Sequence, residues 1–240
     1  MACLNFKSNK AMNKAAMAMV TASLKRGKSE EQCKCIDFFY TDGLAAKKGC
    51  GCLKGKGGWT FDEYCKYVES VVNRLGLKQR AIEKIGLDES QISEIPPILL
   101  ASFSRGSNLQ YKTNEDHSRY VTNQYSVTYI FFSATQLYTY TYVFDTISDN
   151  SWETTRDFFY SDVTCIRTEH EVEEAIYEVN KKGCGCLKKG ESSYVHHNRH
   201  WDTRQITVPN DTYSFCCRTT DTLEQSIQAA KAMIREKKQA

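Results

Sequence analysis

The sequence lacks the features that would place the chain in a membrane, on nucleic acid or in a secretory pathway. No apolar run approaches the about 20 residues that a membrane-spanning helix needs. The mildly apolar stretch from Ala15 to Ala22 is too short and too interrupted for a secretion signal. The formal net charge is only +3, from 32 Lys and Arg against 29 Asp and Glu, so charge alone does not favour nucleic acid as a partner. We therefore expect a cytoplasmic protein without a transmembrane segment.

Motifs of several enzyme classes are missing as well. The glycines of residues 55–58 are not followed by Lys-Ser or Lys-Thr, so they do not form a phosphate-binding loop. A cysteine nucleophile needs a histidine base, and neither Cys165 with His170 nor Cys186 with His197 lies in a recognisable nucleophile context. The alternating strand and helix units of a thioredoxin-like redox enzyme are also missing. We therefore expect that the chain is not an enzyme.

Cysteine, by contrast, is abundant. The chain has 11 cysteines, and an odd total argues against a closed set of disulfide bonds. In a reducing compartment, metal binding, redox chemistry or simple burial remain as explanations. Six cysteines form three Cys-x-Cys pairs, which are Cys33 and Cys35, Cys50 and Cys52, and Cys184 and Cys186.

Two of these pairs belong to a repeat. The octapeptide Lys-Lys-Gly-Cys-Gly-Cys-Leu-Lys occurs at residues 47–54 and 181–188. Each copy follows a second repeated string, Asp-Phe-Phe-Tyr-Thr/Ser-Asp, at residues 37–42 and 157–162. A glycine between two cysteines lets the backbone bend so that both sulfurs reach one ion, and lysines beside them would offset the charge of a zinc tetrathiolate. The repeat therefore predicts a structural zinc site.

The ligand set of this zinc site stays open at the sequence level. A local set would tie the first Cys-rich segment to itself, and it consists of Cys33, Cys35, Cys50 and Cys52. A set that joins the two copies would pin two distant parts of the chain together, and it consists of Cys50, Cys52, Cys184 and Cys186. Free thiols on basic loops are the alternative interpretation. His196 and His200 share a face in a strand and could assist a Cys-x-Cys pair, although an exposed polar hairpin is the favoured interpretation there.

Residues 1–97 have the pattern of a small helical region. Apolar residues from Lys10 to Arg26 predict an amphipathic helix. The stretch from Cys33 to Gly58 has six glycines, four cysteines and no sustained periodicity, which predicts an irregular connector. Thr60 begins another helix, with Glu63 in the capping-box position, and a shorter helix follows it.

Residues 98–240 change to a period of two, which predicts strands. The alternation is clearest from Gln136 to Phe144, and the segment from Glu169 to Ser193 is an unusually long connection. The last segment, after Thr220, has one apolar helical face. The predicted strands are Leu99–Ser104, Tyr125–Phe132, Gln136–Phe144, Trp152–Tyr160, Val163–Thr168, Tyr194–Trp201, Gln205–Val208 and Tyr213–Arg218.

This order of strands and a final helix resembles the pleckstrin-homology-like (PH-like) fold, specifically the bacterial PH-type domains. The resemblance lies in the string Phe-Phe-Tyr-Ser-Asp-Val at residues 158–163 and in the run from Ile206 to Phe215 before the helix, and it covers roughly Leu99 to Lys238. It implies an α+β fold in which a C-terminal helix caps an antiparallel sandwich or barrel. It also implies a scaffold that binds phosphoinositides, proteins or peptides and seldom catalyses.

Two functional hypotheses follow. The first is a non-catalytic binding or interaction module, with a protein as the expected partner, in which the Cys-x-Cys clusters act as a zinc staple. The second is a thiol-based redox or metal sensor in which the Cys-x-Cys loops change how the helical region docks. An anionic lipid surface is a further candidate partner, because Leu53 and Leu187 lie among the lysines of the two repeats.

Overall fold

The computed structural model describes residues 14–40, 59–88, 96–104, 109–114, 118–180, 192–217 and 220–238. Within these ranges the protein is an α+β structure, as predicted, and its strand pairings are antiparallel. The helices are α1 (Lys14–Leu24), α2 (Glu30–Tyr40), α3 (Phe61–Arg74), α4 (Leu77–Ile85) and α5 (Asp221–Lys237). The strands are β1 (Ile98–Phe103), β2 (Tyr111–Thr113), β3 (Tyr120–Thr122), β4 (Gln124–Phe132), β5 (Gln136–Asp145), β6 (Ser151–Phe159), β7 (Cys165–Asn180), β8 (Ser192–Val208) and β9 (Asp211–Cys217).

The strands form two main sheets and one small hairpin. The four-stranded sheet has the order β1-β4-β5-β6, and the three-stranded sheet has the order β7-β8-β9. The hairpin β2–β3 lies in the connection between β1 and β4. Within each main sheet, every strand pairs with the strand that follows it in the chain once this hairpin is set aside, so each main sheet is a meander.

One core fills the space between the two sheets and α5. Alternate residues of the strands point into it, because successive side chains in a strand lie on opposite faces. Helix α5 begins at the N-cap Thr220, whose hydroxyl accepts a hydrogen bond from the amide of Leu223 at 3.2 Å. The helix contributes the apolar face that its sequence predicts, Leu223, Ile227, Ala230 and Ile234.

A second core lies on the other face of the four-stranded sheet, where α2, α3 and α4 cover strands β4 and β5. Tyr64 of α3 is fully buried there, and its ring stacks on Phe38 of α2 with 4.5 Å between the centroids. Its hydroxyl donates to the carbonyl oxygen of Thr122 at 2.7 Å. Helices of the predicted region 1–97 thus share a core with strands of the predicted region 98–240. The division into two domains at this boundary stays a prediction.

Helix α2 occupies part of the segment for which the sequence predicted an irregular connector, and that prediction is wrong for residues 33–40. The missed signal is a capping box at the start of the helix. The amide of Gln32 donates to the hydroxyl of Ser29 at 3.2 Å, and the amide of Ser29 donates to the side-chain oxygen of Gln32 at 3.1 Å. At the other end, the ammonium of Lys112 donates to the carbonyl oxygen of Phe38 and lies 4.4 Å from the centroid of its ring.

Strands β7 and β8 are much longer than predicted. They pair without interruption from Cys165 opposite Thr207 to Asn180 opposite Ser192, whereas β9 pairs with β8 only as far as Asp202. Beyond that point the two strands continue as a ribbon, which we call the β7–β8 arm (residues 171–180 and 192–201). At about 3.3 Å per residue the arm extends roughly 30 Å past the three-stranded sheet.

A charged cluster joins α4 to the edge of the four-stranded sheet. The carboxylate of Glu153 in β6 accepts hydrogen bonds from Arg80 Nε at 2.9 Å and from the hydroxyl of Tyr140 at 2.7 Å. The ammonium of Lys84 lies 3.0 Å from its other oxygen. These hydrogen-bond donors lower the pKa of Glu153 to about 2, and Arg80 has the largest effect. The cluster therefore stabilises the folded chain only while Glu153 is ionised.

We predict a stability difference that depends on pH. The pKa of Glu153 is lower in the folded chain than its ordinary value of 4.5. Its contribution is therefore complete above about pH 4.5 and is lost as the pH falls toward about 2. Urea titrations at about pH 6, 5, 4 and 3 give the free energies of unfolding of the wild type and of Glu153→Gln. The difference between the two values should shrink as the pH falls. Glu69→Gln, an exposed change on α3, is the control, and a Glu153 difference that stays constant would contradict the prediction.

Among the helices in the described ranges, none is long and apolar enough to cross a membrane.

Candidate functional site

The first Cys-x-Cys pair lies on α2, and the structure gives its two thiols different surroundings. Cys35 is fully buried beside Tyr67 and Thr146, and burial raises its pKa to about 12 although hydrogen bonds from these neighbours oppose the change. The thiol of Cys33 instead lies 3.8 Å from the carbonyl oxygen of Lys25, which accepts its hydrogen bond. Residues two apart on a helix are separated by about 200° around the axis. The structure therefore does not bring Cys33 and Cys35 together as a pair of ligands.

The other two Cys-x-Cys pairs lie outside the described residues. Cys50 and Cys52 fall between α2 and α3, and Cys184 and Cys186 fall between β7 and β8, as do the lysines of both repeats. In the part of the chain that the structure describes, no group of three or more His, Cys, Asp or Glu side chains is placed to hold a metal ion. The zinc site thus stays a prediction from the sequence.

The remaining described thiols are single residues in packed or edge positions. Cys65 is half-buried on α3, and its sulfur lies 3.7 Å from Nη2 of Arg119. Cys217 belongs to the core between the sheets, while Cys216 is half-buried, as expected for neighbours in a strand. Cys165 is exposed and is the first residue of the edge strand β7.

A row of polar residues crosses the three-stranded sheet where the arm begins. His170, Asp202 and Cys217 lie directly opposite one another on β7, β8 and β9. His170 Nδ1 is 2.8 Å from Asp202 Oδ1, and the thiol of Cys217 donates to the carbonyl oxygen of Asp202 at 3.7 Å. Burial raises the pKa of Cys217 to about 11, so this thiol stays protonated at neutral pH. The row is thus not an activated cysteine nucleophile.

The catalytic pairing of Cys165 with His170 also finds no support in the geometry. The two residues are five positions apart on β7, so their side chains lie on opposite faces of the sheet. His196 and His200 lie on β8 in the arm, opposite Ile176 and Val172 of β7.

A buried arginine lies next to this row. Arg204 of β8 is only 2% exposed, and its Nη2 donates to the carboxylate of Glu224 in the first turn of α5 at 3.0 Å. The pair ties the start of α5 to the three-stranded sheet. A buried guanidinium must keep an anionic partner, because an uncompensated charge in the core is costly.

An accessible surface for a partner in the described residues is the outer edge of β7. This strand is at the edge of its sheet, and its described side chains from Arg167 to Glu174 are mostly exposed, including Val172 at 53%. Its backbone runs for 16 residues without a proline or a break in register. The strand is also acidic, with glutamates at Glu169, Glu171, Glu173, Glu174 and Glu178. Sequence reasoning missed this surface because it treated most of the segment as a connection.

No known protein family, curated protein or solved structure matches the chain.

Proposed function

We propose that the chain is a non-catalytic interaction module with a PH-like β-domain. Seven strands, β1 and β4 to β9, form two successive meanders and are followed by α5, which is the order of elements that the resemblance implies. The hairpin β2–β3 is an addition within the first connection. Helices α2, α3 and α4 cover the outer face of the four-stranded sheet. The surfaces that remain for a partner are the sheet edges and the three-stranded sheet.

The observation that carries the proposal is the exposed acidic edge strand β7. An edge strand presents a row of backbone N–H and C=O groups with which an extended segment can pair. Opposite charges directly across a strand pair are favourable and like charges are not. Glu169 and Glu171 lie on one face of the strand, and Glu174 lies on the other. The partner is therefore a protein segment that is extended and basic.

Within this function, the Cys-x-Cys repeats act as a zinc staple. The separate surroundings of Cys33 and Cys35 disfavour the local ligand set and favour the set that joins the two copies, Cys50, Cys52, Cys184 and Cys186. This staple would connect the segment after α2 to the segment at the end of the β7–β8 arm. It would hold a two-stranded ribbon that is at best marginally stable by itself.

Peptide binding tests the interaction site. A short fluorescent peptide that alternates lysine and threonine should bind, and added salt should weaken the binding. Glu171→Lys should weaken the affinity about fivefold to tenfold, because a favourable cross-strand pair of up to about 1 kcal/mol becomes repulsive. Fluorescence anisotropy measures both affinities.

Two controls separate strand addition from general charge attraction. The same peptide with an N-methyl group on every residue keeps its charge but has no backbone N–H to donate on either edge, so it should not bind. Glu236→Lys makes the same change of charge on an exposed turn of α5 and should leave the affinity unchanged. Equal affinities for the two peptides, or equal losses for the two variants, would refute β7 as the site.

A further inference from the structure

Strand β6 is one of the two outer strands of the four-stranded sheet, so one edge of its backbone faces away from that sheet. It pairs with β5 without interruption from Ser151 to Phe159. Two large aromatic side chains lie exposed near its ends, Trp152 at 54% and Phe159 at 57%. A long, regular edge strand with exposed aromatic residues is a surface on which another strand can pair.

The charges of β6 differ from those of β7. Its charged residues are Glu153, Arg156 and Asp157, so both signs are present. The cation Arg156 lies over the ring of Tyr213, with 4.6 Å between Cζ and the ring centroid. Two copies of the acidic β7 would repel each other, whereas two copies of β6 can pair if the register avoids like charges.

Two-fold symmetry limits the registers that two β6 strands can adopt. Two copies that continue one sheet are antiparallel about an axis through a single residue, which then faces itself in the second copy. An axis at Thr155 places Glu153 opposite Asp157 twice. An axis at Glu153, Arg156 or Asp157 places that charged residue opposite its own copy. Each of these registers opposes like charges and is unfavourable.

An axis at Thr154 opposes no like charges. It places Trp152 of each copy opposite Arg156 of the other, which allows a cation–π contact on both sides of the axis. Thr154 of one copy then faces Thr154 of the other, and Glu153 of each copy faces Thr155 of the other. Glu153 keeps its ion pairs with Arg80 and Lys84 of its own copy. Of the five central registers, this one alone opposes no like charges.

We infer that a second copy of this chain pairs with β6 about a two-fold axis at Thr154, so that the two four-stranded sheets form one continuous eight-stranded sheet. The wild-type chain forms a dimer in solution through this edge. The dimer does not depend on β7 or on the cysteines. A test of the dimer is therefore independent of the tests of the proposed function.

Opposite charges at the axis test the register. Thr154→Lys and Thr154→Glu each place a charge opposite its own copy, so each variant alone is expected to be monomeric. An equimolar mixture of the two is expected to form a heterodimer. Thr154→Val is expected to remain dimeric, and circular dichroism with thermal melting verifies that each variant is folded. Sedimentation equilibrium under reducing conditions gives the masses and removes disulfide-linked dimers.

The neighbouring residue supplies the matched control. Thr155 faces Glu153 of the other copy in this register, so Thr155→Lys is expected to retain the dimer and Thr155→Glu to weaken it. A monomeric wild type, a dimer that persists in Thr154→Lys, or a folded mixture of the two Thr154 variants that stays monomeric would each overturn the inference.

Discussion

Replacement of Tyr64 by alanine is expected to lower the free energy of unfolding by about 3–5 kcal/mol, the usual cost of deleting a fully buried aromatic side chain. The ring stacks on Phe38 and meets Phe39 edge-to-face at 5.1 Å. The hydroxyl is 2.7 Å from the carbonyl oxygen of Thr122 and 2.9 Å from Oγ1 of Thr146. The substitution therefore removes both the packing and the polar contacts between α3 and the sheet. Urea denaturation followed by circular dichroism measures the loss.

Two further variants separate these contributions. Tyr64→Phe keeps the ring and leaves the acceptor on Thr122 without this donor, so it should cost about 1–3 kcal/mol. Lys66→Ala, an exposed change two residues away on the same helix, should be almost neutral. A loss below about 1 kcal/mol in Tyr64→Ala would show that the helices are not held by this contact.

The same titrations test the predicted boundary between residues 97 and 98. If the helices and the β-domain form one cooperative unit, Tyr64→Ala shifts a single transition. If they are separate domains, the variant should show a first transition for the helices and an unchanged second one for the sheets. The shared core around Tyr64 favours the single transition.

Removal of the proposed zinc staple is the second change with a large expected effect. Protein purified under reducing conditions should contain about one zinc per chain. The double variant Cys184→Ser/Cys186→Ser should lose this zinc and several kcal/mol of stability, because binding energy at a structural zinc site contributes directly to folding. Elemental analysis and thermal unfolding measure the two losses.

The first Cys-x-Cys pair is the control for the ligand set. Cys33→Ser should retain the zinc, because Cys33 lies on α2 apart from Cys35. A zinc content that falls equally in Cys33→Ser would favour the local set. A metal-free wild type with all 11 cysteines titrating as free thiols would end the zinc proposal.

The alternative sensor function differs from the staple in one respect. A staple only stabilises the chain, so oxidant, reductant or chelator should leave the peptide affinity of the folded protein unchanged. A sensor would change that affinity reversibly. The anisotropy measurement with the basic peptide, repeated under these conditions, distinguishes the two functions.

Several elements could be predicted because their signals are local. Helix α3 begins at Thr60 with the expected capping box, in which the carboxylate of Glu63 accepts from the Thr60 amide at 2.7 Å. Strand β5 follows the alternation of residues 136–144, and α5 buries its predicted apolar face. In each case the period of the sequence matches the geometry of the element, so no distant contact is needed to select it.

The candidate sites were less predictable because they depend on the environment. Periodicity could not show that β7 extends to Asn180, since alternating glutamates in an exposed strand look like a polar connection. The separation of Cys33 from Cys35 followed from a helix that was missed. Edge positions such as those of β6 and β7 exist only after the order of strands in a sheet is known.

The repeated string Asp-Phe-Phe-Tyr separates what the sequence determined from what the tertiary structure decided. Its first copy, residues 37–40, forms the end of helix α2. In its second copy, residues 157–159 form the end of strand β6. In the helix Phe38 is buried against Tyr64, and Phe39 packs on the same ring. In the strand Phe158 is buried and Phe159 is 57% exposed. The sequence alone determined where these aromatic residues stand in the chain. The tertiary structure decided their conformation and which rings are buried, because the capping box of α2 and the pairing of β6 with β5 outweigh the weak preference of four residues.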